Sequence, residues 1–208
     1  LEQTKYRDNL NPFTAIWTRP RETVRYVIEE KESNFSFLLI VLSGFVAVLI
    51  GNQGAEQGFP LLGVLLMALL VGPLAAIVGT SVGAGIYLLI GRLFKGQATY
   101  KEMFRAVLTS QITQIWLIPF ILLWILLSPE TYFLQAGEMP FENESPLSII
   151  LTLILSVVSI WTFFVQCKAI GEAHRLSAWK GFFIIAIPAI VFIAIVAVII
   201  IAIVTAVL

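Results

Sequence analysis

The chain has 208 residues, of which 59% are hydrophobic and 12% charged, with a mean hydropathy of +0.93. A water-soluble domain cannot hide that much apolar surface behind so few polar side chains, so the composition excludes one. The formal net charge is zero and no nucleic-acid partner is expected, while the one cysteine, Cys167, excludes an internal disulfide framework or a cysteine-rich metal site.

Residues 1–33 form a polar, charged tail, which is unlike a signal peptide with its short apolar run. The sequence predicts an amphipathic helix within this tail. Pro20 suits a first helical position, Glu22 favours the N-terminal dipole, and Val24, Val27 and Ile28 share one face. Phe13, Ile16 and Trp17 make a second apolar cluster at helical spacing. Such a helix either lies on the inner leaflet, with Arg19, Arg21 and Arg25 near lipid phosphates, or caps the cytosolic end of a bundle. An amphipathic face alone does not choose between them.

Residues 34–208 read as one membrane domain of five helices, near 34–51, 59–90, 103–127, 147–167 and 181–208. Each stretch is long enough to cross about 30 Å of hydrocarbon. Helices are the open-chain way to satisfy backbone groups in lipid, so the predicted class is all-α and polytopic. The second stretch exceeds what one straight crossing needs; an outer interfacial turn at its start and a kink at Gly72-Pro73 are expected.

Charge fixes the expected orientation. All thirteen basic residues fall in the tail, in the segment between spans two and three as far as Arg105 in the first turn of span three, or in the loop between spans four and five. The other two loops carry Glu56, Glu130, Glu138, Glu142 and Glu144 and no Lys or Arg. By the positive-inside rule the N-terminus and both basic loops face the cytosol and the C-terminus lies outside.

Several features could carry chemistry. Gly79-Thr-Ser-Val-Gly83 spells a serine-hydrolase pattern, but inside an apolar helix rather than on a strand-to-helix turn. Ala75, Gly79 and Gly83 instead suit close helix packing at four-residue spacing. Ser110, Gln111 and Gln114 on the third span, with Thr152, Ser156, Ser159 and Gln166 on the fourth, form a candidate polar stripe. Such a stripe either lines a polar path or supplies interhelical hydrogen bonds, and without charge deep in the spans the second reading is preferred. Glu172, His174 and Arg175 form a candidate contact cluster on a solvated cytosolic loop. One histidine with one carboxylate is too few for a metal site, and neither a cofactor nor a catalytic set is expected. Cys167 is expected to pack, Asn143-Glu-Ser145 is a poor glycosylation acceptor before Pro146, and the all-apolar fifth span should face lipid at the bundle edge.

Three segments carry a family resemblance: Asn11-Pro-Phe-Thr-Ala-Ile-Trp-Thr-Arg-Pro-Arg-Glu-Thr23, the basic loop Gly91–Phe104, and Trp161 followed by Gly171-Glu-Ala-His-Arg-Leu-Ser-Ala-Trp-Lys180. Together they resemble prokaryotic members of the Yip (Ypt-interacting protein) family. The resemblance implies five spans with a cytosolic N-terminus and no established catalytic residues. Eukaryotic members bind small GTPases and partner membrane proteins in vesicle traffic, and they carry a longer N-terminal region with Tyr-Gly-Pro type motifs. The short tail here lacks those motifs and looks bacterial, so GTPase binding is not carried over.

The resulting expectation is a non-enzymatic scaffold or adaptor in a bacterial plasma membrane, binding membrane-protein partners or a second copy. The alternative is an accessory subunit of an ABC-type exporter, or a small permease with a polar path between spans three and four. The chain has no Walker A pattern, so a partner would hydrolyse the ATP.

Overall fold

The structure, a computed structural model, describes residues 10–51, 61–133 and 146–207. It is all-helical, with no strand among the described residues, and five helical runs are long and apolar enough to cross a membrane. The acidic loop residues Glu56, Glu138, Glu142 and Glu144, and the Asn143 acceptor pattern, lie outside the described residues.

The chain enters through α1 (Pro12–Ala15), where the Asn11 side chain accepts from the Phe13 N–H at 3.0 Å. Helix α2 (Pro20–Glu30) follows, with Pro20 at its first position and Glu22 in its first turn. Its apolar stripe is not free to meet lipid. Val24 and Val27 are buried, and Ile16 and Val24 belong to the same core as Met103 and Ile170. Of the two sequence alternatives, the helix that caps the bundle is the one observed. It packs on the third and fourth spans at the end that carries the basic loops, here called the basic end.

The first span is α3 (Ser33–Gly51) and the second α4 (Leu61–Leu93). They make the most extensive helix pairing in the molecule. At their crossing Gly44 faces Gly72 with no side chain between, and a Cβ on Gly72 would stand 2.5 Å from the Gly44 carbonyl oxygen. A Cβ on either residue would push the two backbones apart, and glycine on both sides lets them touch.

Helix α4 runs unbroken through Pro73; the interruption falls in the third span instead. That span is built from α5 (Tyr100–Ser110), α6 (Ile112–Ile115) and α7 (Ile118–Leu127). Local hydrogen bonds explain the breaks. Thr109 donates to the Arg105 carbonyl at 2.7 Å, Ser110 to Val107 at 2.6 Å and Thr113 to Ser110 at 3.0 Å. Back-bonding of this kind competes with the helical ladder and bends it. Pro119 then has no N–H to continue the ladder across Trp116 and Leu117. Helix α8 (Pro129–Phe133) closes the far end, where Tyr132 donates to the Leu49 carbonyl and packs edge-on to Trp124.

The fourth span, α9 (Pro146–Ala173), runs six residues past its expected end at 167, because Ala169, Ile170 and Ala173 are still buried. Both α4 and α9 stop in the same way. Gly96 donates to the Gly91 carbonyl and Lys95 to Arg92, and Leu176 donates to Gly171 and Arg175 to Glu172. These are two Schellman caps, with Lys95 (φ 63°) and Arg175 (φ 57°) in the left-handed position that glycine normally takes. Lys95→Gly should therefore raise stability by about 0.5–1 kcal/mol, since the lysine strains its backbone there. A rise in melting temperature in detergent would register this; a fall would show that the Lys95 side chain holds something in place.

Helix α10 (Ala178–Val207) packs mainly on α9, and past Ile185 no described residue of it is buried.

Candidate functional site

Three segments distant in sequence meet at the basic end: α2, the turn from α4 to α5, and the turn from α9 to α10. His174 is at their centre and is 0% exposed. Its Nδ1 accepts from the Ala98 N–H at 3.4 Å, and its Nε2 lies 3.1 Å from the Tyr87 carbonyl. A carbonyl only accepts, so Nε2 carries the proton and the ring is neutral. Burial, the largest cause, holds the imidazole below its usual value of 6.5. The ring fills a slot left by two missing side chains: a Cβ on Gly91 or on Gly96 would overlap it. The histidine carbonyl also accepts from the Gln97 N–H at 3.2 Å, so the two loops are joined on both sides of the ring.

Glu172 holds the amino-terminal helix. Its Oε1 accepts from Arg25 Nε at 2.6 Å, and its Oε2 lies 3.6 Å from Arg21 Nη1. Arg21 also donates to the Leu176 carbonyl at 2.9 Å, and Arg105 donates to the Ile28 carbonyl at 3.0 Å. The Glu172 side chain is only 10% exposed, whereas both arginines are 42% exposed. Solvent therefore screens the cationic side, and the fork is worth about 1–2 kcal/mol rather than the value of a buried pair. Glu172→Gln should loosen α2 from the bundle and leave the five spans folded. Faster amide exchange confined to residues 20–30 is the expected signature; unchanged exchange there would mean the apolar face of α2 suffices.

The outermost layer is the start of α5. Thr99 and Glu102 form a reciprocal capping box, and Arg175 reaches Glu102 at 3.3 Å.

The contact cluster expected on a solvated loop is therefore mostly internal. Only Arg175 is exposed, its side chain at 52%. Glu172 and His174 lie under α2 and between the loops, because α9 continues helically past Cys167 through the buried Ala169, Ile170 and Ala173 and carries them inward. Among the described residues no group of three His, Cys, Asp or Glu could hold a metal.

The polar stripe divides. Thr152, Ser156 and Ser159 line a cavity of about 270 Å³ with Trp124 and Ile50. Gln111 and Gln166 line another, of about 300 Å³, beside Tyr87 and α4, and the two cavities share no residue. Ser110 is fully buried and bonded within its own helix, and Gln114 lines neither cavity. The side-chain hydrogen bond between spans three and four is Thr113 to Thr162 at 2.8 Å, in neither part of the stripe. The small residues Ala75, Gly79 and Gly83 do not meet a neighbouring helix; they form a wall of the second cavity, and a Cβ at Gly79 would find no atom within 4 Å. Ser81 has His174 nowhere beside it, since that ring is spent on Tyr87 and Ala98.

Sequence reasoning missed the close contacts of Gly44, Gly72, Gly91 and Gly96, and of Gly181, where a Cβ would overlap the Cys167 carbonyl. Gly91 and Gly96 had a readable signal, flanking a short basic turn after a long apolar helix, where Schellman caps occur.

Five apolar spans and a helix folded over their basic end define a polytopic, all-helical integral membrane protein. The Yip1 domain model matches residues 14–201, and the chain belongs to the Yip family. No curated protein and no solved structure is similar enough to the chain to be matched. Members of the family are generally not enzymes.

Proposed function

We propose that this protein is a non-enzymatic adaptor that presents its basic end to partner membrane proteins. The observation that supports this is the junction at His174 and Glu172. Loops from two span pairs and the amino-terminal helix are bonded into one surface, and Arg92, Lys95, Lys101, Arg175 and Lys180 stand exposed around it. A surface fixed in advance loses little conformational entropy when a partner docks. The positive-inside rule argues that this surface faces the cytosol of a bacterial cell, with the membrane domain of residues 34–208 in the plasma membrane. A partner with an acidic membrane-proximal surface suits it, and an ABC-type exporter that uses this chain as an accessory subunit is one such assembly.

Copurification in mild detergent with cross-linking from Lys95 and Lys101 tests the reading. A stoichiometric membrane partner linked at those lysines is expected; a protein that purifies alone and moves solute in liposomes would refute the adaptor and favour a small permease, which the cavity at Gln111 would then serve. Orientation is checked separately on a Cys167→Ala background. Lys95→Cys should react with an impermeant maleimide only after the cells are opened, and Glu130→Cys in intact cells; the opposite pattern reverses the topology.

A further inference from the structure

The cavity beside α4 has the makings of a binding site. One wall is the small-residue stripe Ala75, Gly79 and Gly83, which forms a shallow trough with no helix laid in it. Ala75 and Gly79 are exposed on the lipid-facing side of the bundle, so the trough opens sideways into the bilayer. At its side Thr80 is buried, only 9% exposed, yet its hydroxyl has no hydrogen-bond partner among the described residues. That is unusual for a helical threonine, which commonly bonds back to its own helix as Thr109 and Thr162 do here. A buried hydroxyl with no partner costs free energy that an incoming polar group would recover. Across the cavity Gln111 and Gln166 offer amides that both donate and accept.

Size, depth and charge narrow the ligand. A volume of about 300 Å³ is at the lower end for small-molecule sites. No charged side chain lines it. Thr80 stands twelve residues before Arg92 in α4, roughly 18 Å along the helix from that charge, so the buried hydroxyl lies well inside the span. A charged headgroup drawn to that depth with no counter-charge would be strongly disfavoured. We propose that the cavity binds an uncharged glycerolipid of the diacylglycerol type, taken up sideways from the bilayer. An acyl chain lies along the Ala75–Gly83 trough, and the glycerol hydroxyl or ester carbonyl bonds Thr80 and Gln111. This goes beyond the adaptor reading, which rests on the basic end and stands whether or not the site is filled.

The test reconstitutes the full chain in phosphatidylcholine vesicles with a trace of diacylglycerol bearing a photoreactive acyl chain, and maps the adducts by mass spectrometry. Adducts should concentrate on residues 75–83 and near Gln111, and unlabelled diacylglycerol should compete where extra phosphatidylcholine does not. Thr80→Val keeps the shape and removes the hydroxyl, and should weaken competition by about fivefold, the worth of one hydrogen bond. Gly79→Leu fills the trough without a clash and should abolish the focused labelling while the melting temperature holds. Labelling spread evenly over the lipid-facing helices, or equal competition by phosphatidylglycerol with its charged head, would overturn the proposal. So would focused labelling that survives both substitutions.

Discussion

Leucine at Gly44 should leave no folded protein in a detergent extract. A Cβ there would already overlap the Gly72 carbonyl, and the atoms it meets are backbone, which cannot rotate aside as a side chain does. Helices α3 and α4 would have to separate along the most extensive pairing in the molecule, and overpacking of this kind costs about 3 kcal/mol or more. Gly44→Ala should show the same defect in milder form, read as a lower melting temperature and a broadened size-exclusion peak. Gly79→Leu is the matched control, because that glycine has open space beside it. Equal losses at Gly44 and Gly79 would show that any large residue is harmful in these spans, and the argument from the α3–α4 crossing would fail.

The second large effect is expected at His174. Alanine there removes a fully buried ring, two hydrogen bonds and the filling between Gly91 and Gly96, for a loss of about 2–4 kcal/mol. Gly91→Ala should be damaging alone, because its Cβ overlaps the ring, and much less so beside His174→Ala, which empties the slot. Such a cycle has a large coupling of known sign. Additive losses would mean that the two residues do not share the space. Acidity gives an independent reading. The folded imidazole is held below its ordinary value of 6.5, so the unfolded chain binds the proton more readily. The stability that His174 contributes is complete above that value and declines as the pH falls below it. Melting temperature should drop between about pH 6.5 and pH 5 in the wild type, and His174→Ala should flatten that part of the profile. An unchanged slope in the variant would place the titration elsewhere.

Hydropathy made the spans legible because lipid leaves the backbone little choice. At the basic end, α3, α5 and α10 begin at Ser33, Tyr100 and Ala178, within a few residues of the expected starts. The inner end of α9 did not, since Lys168 and Glu172 look like loop residues until Ala169, Ile170 and Ala173 are seen packed behind them. A kink is expected at Pro73, where α4 continues as one helix, and three small hydroxyl side chains with Pro119 divide the third span, which hydropathy reads as whole. Spacing alone also misread the small residues. Ala75, Gly79 and Gly83 have the right period for close packing, but a period does not say which face meets a partner, and Gly44 and Gly72 take the contact. The loop cluster failed for a related reason. Charge predicts exposure only where no opposite charge waits nearby, and the partners of Glu172 are some 147 residues away in the chain.

That separation also orders events during synthesis. Helix α2 is made well before Glu172 and Leu176, the groups that hold it. At synthesis rates of about 5–20 residues per second, the 155 residues between Arg21 and Leu176 take roughly 8–30 s to appear. Throughout that interval the apolar face of α2 has no finished surface to rest on, and a chaperone or the bilayer surface itself must shelter it. The arrival of Glu172 is then the signal that the fourth span is in place, and a helix made early docks late.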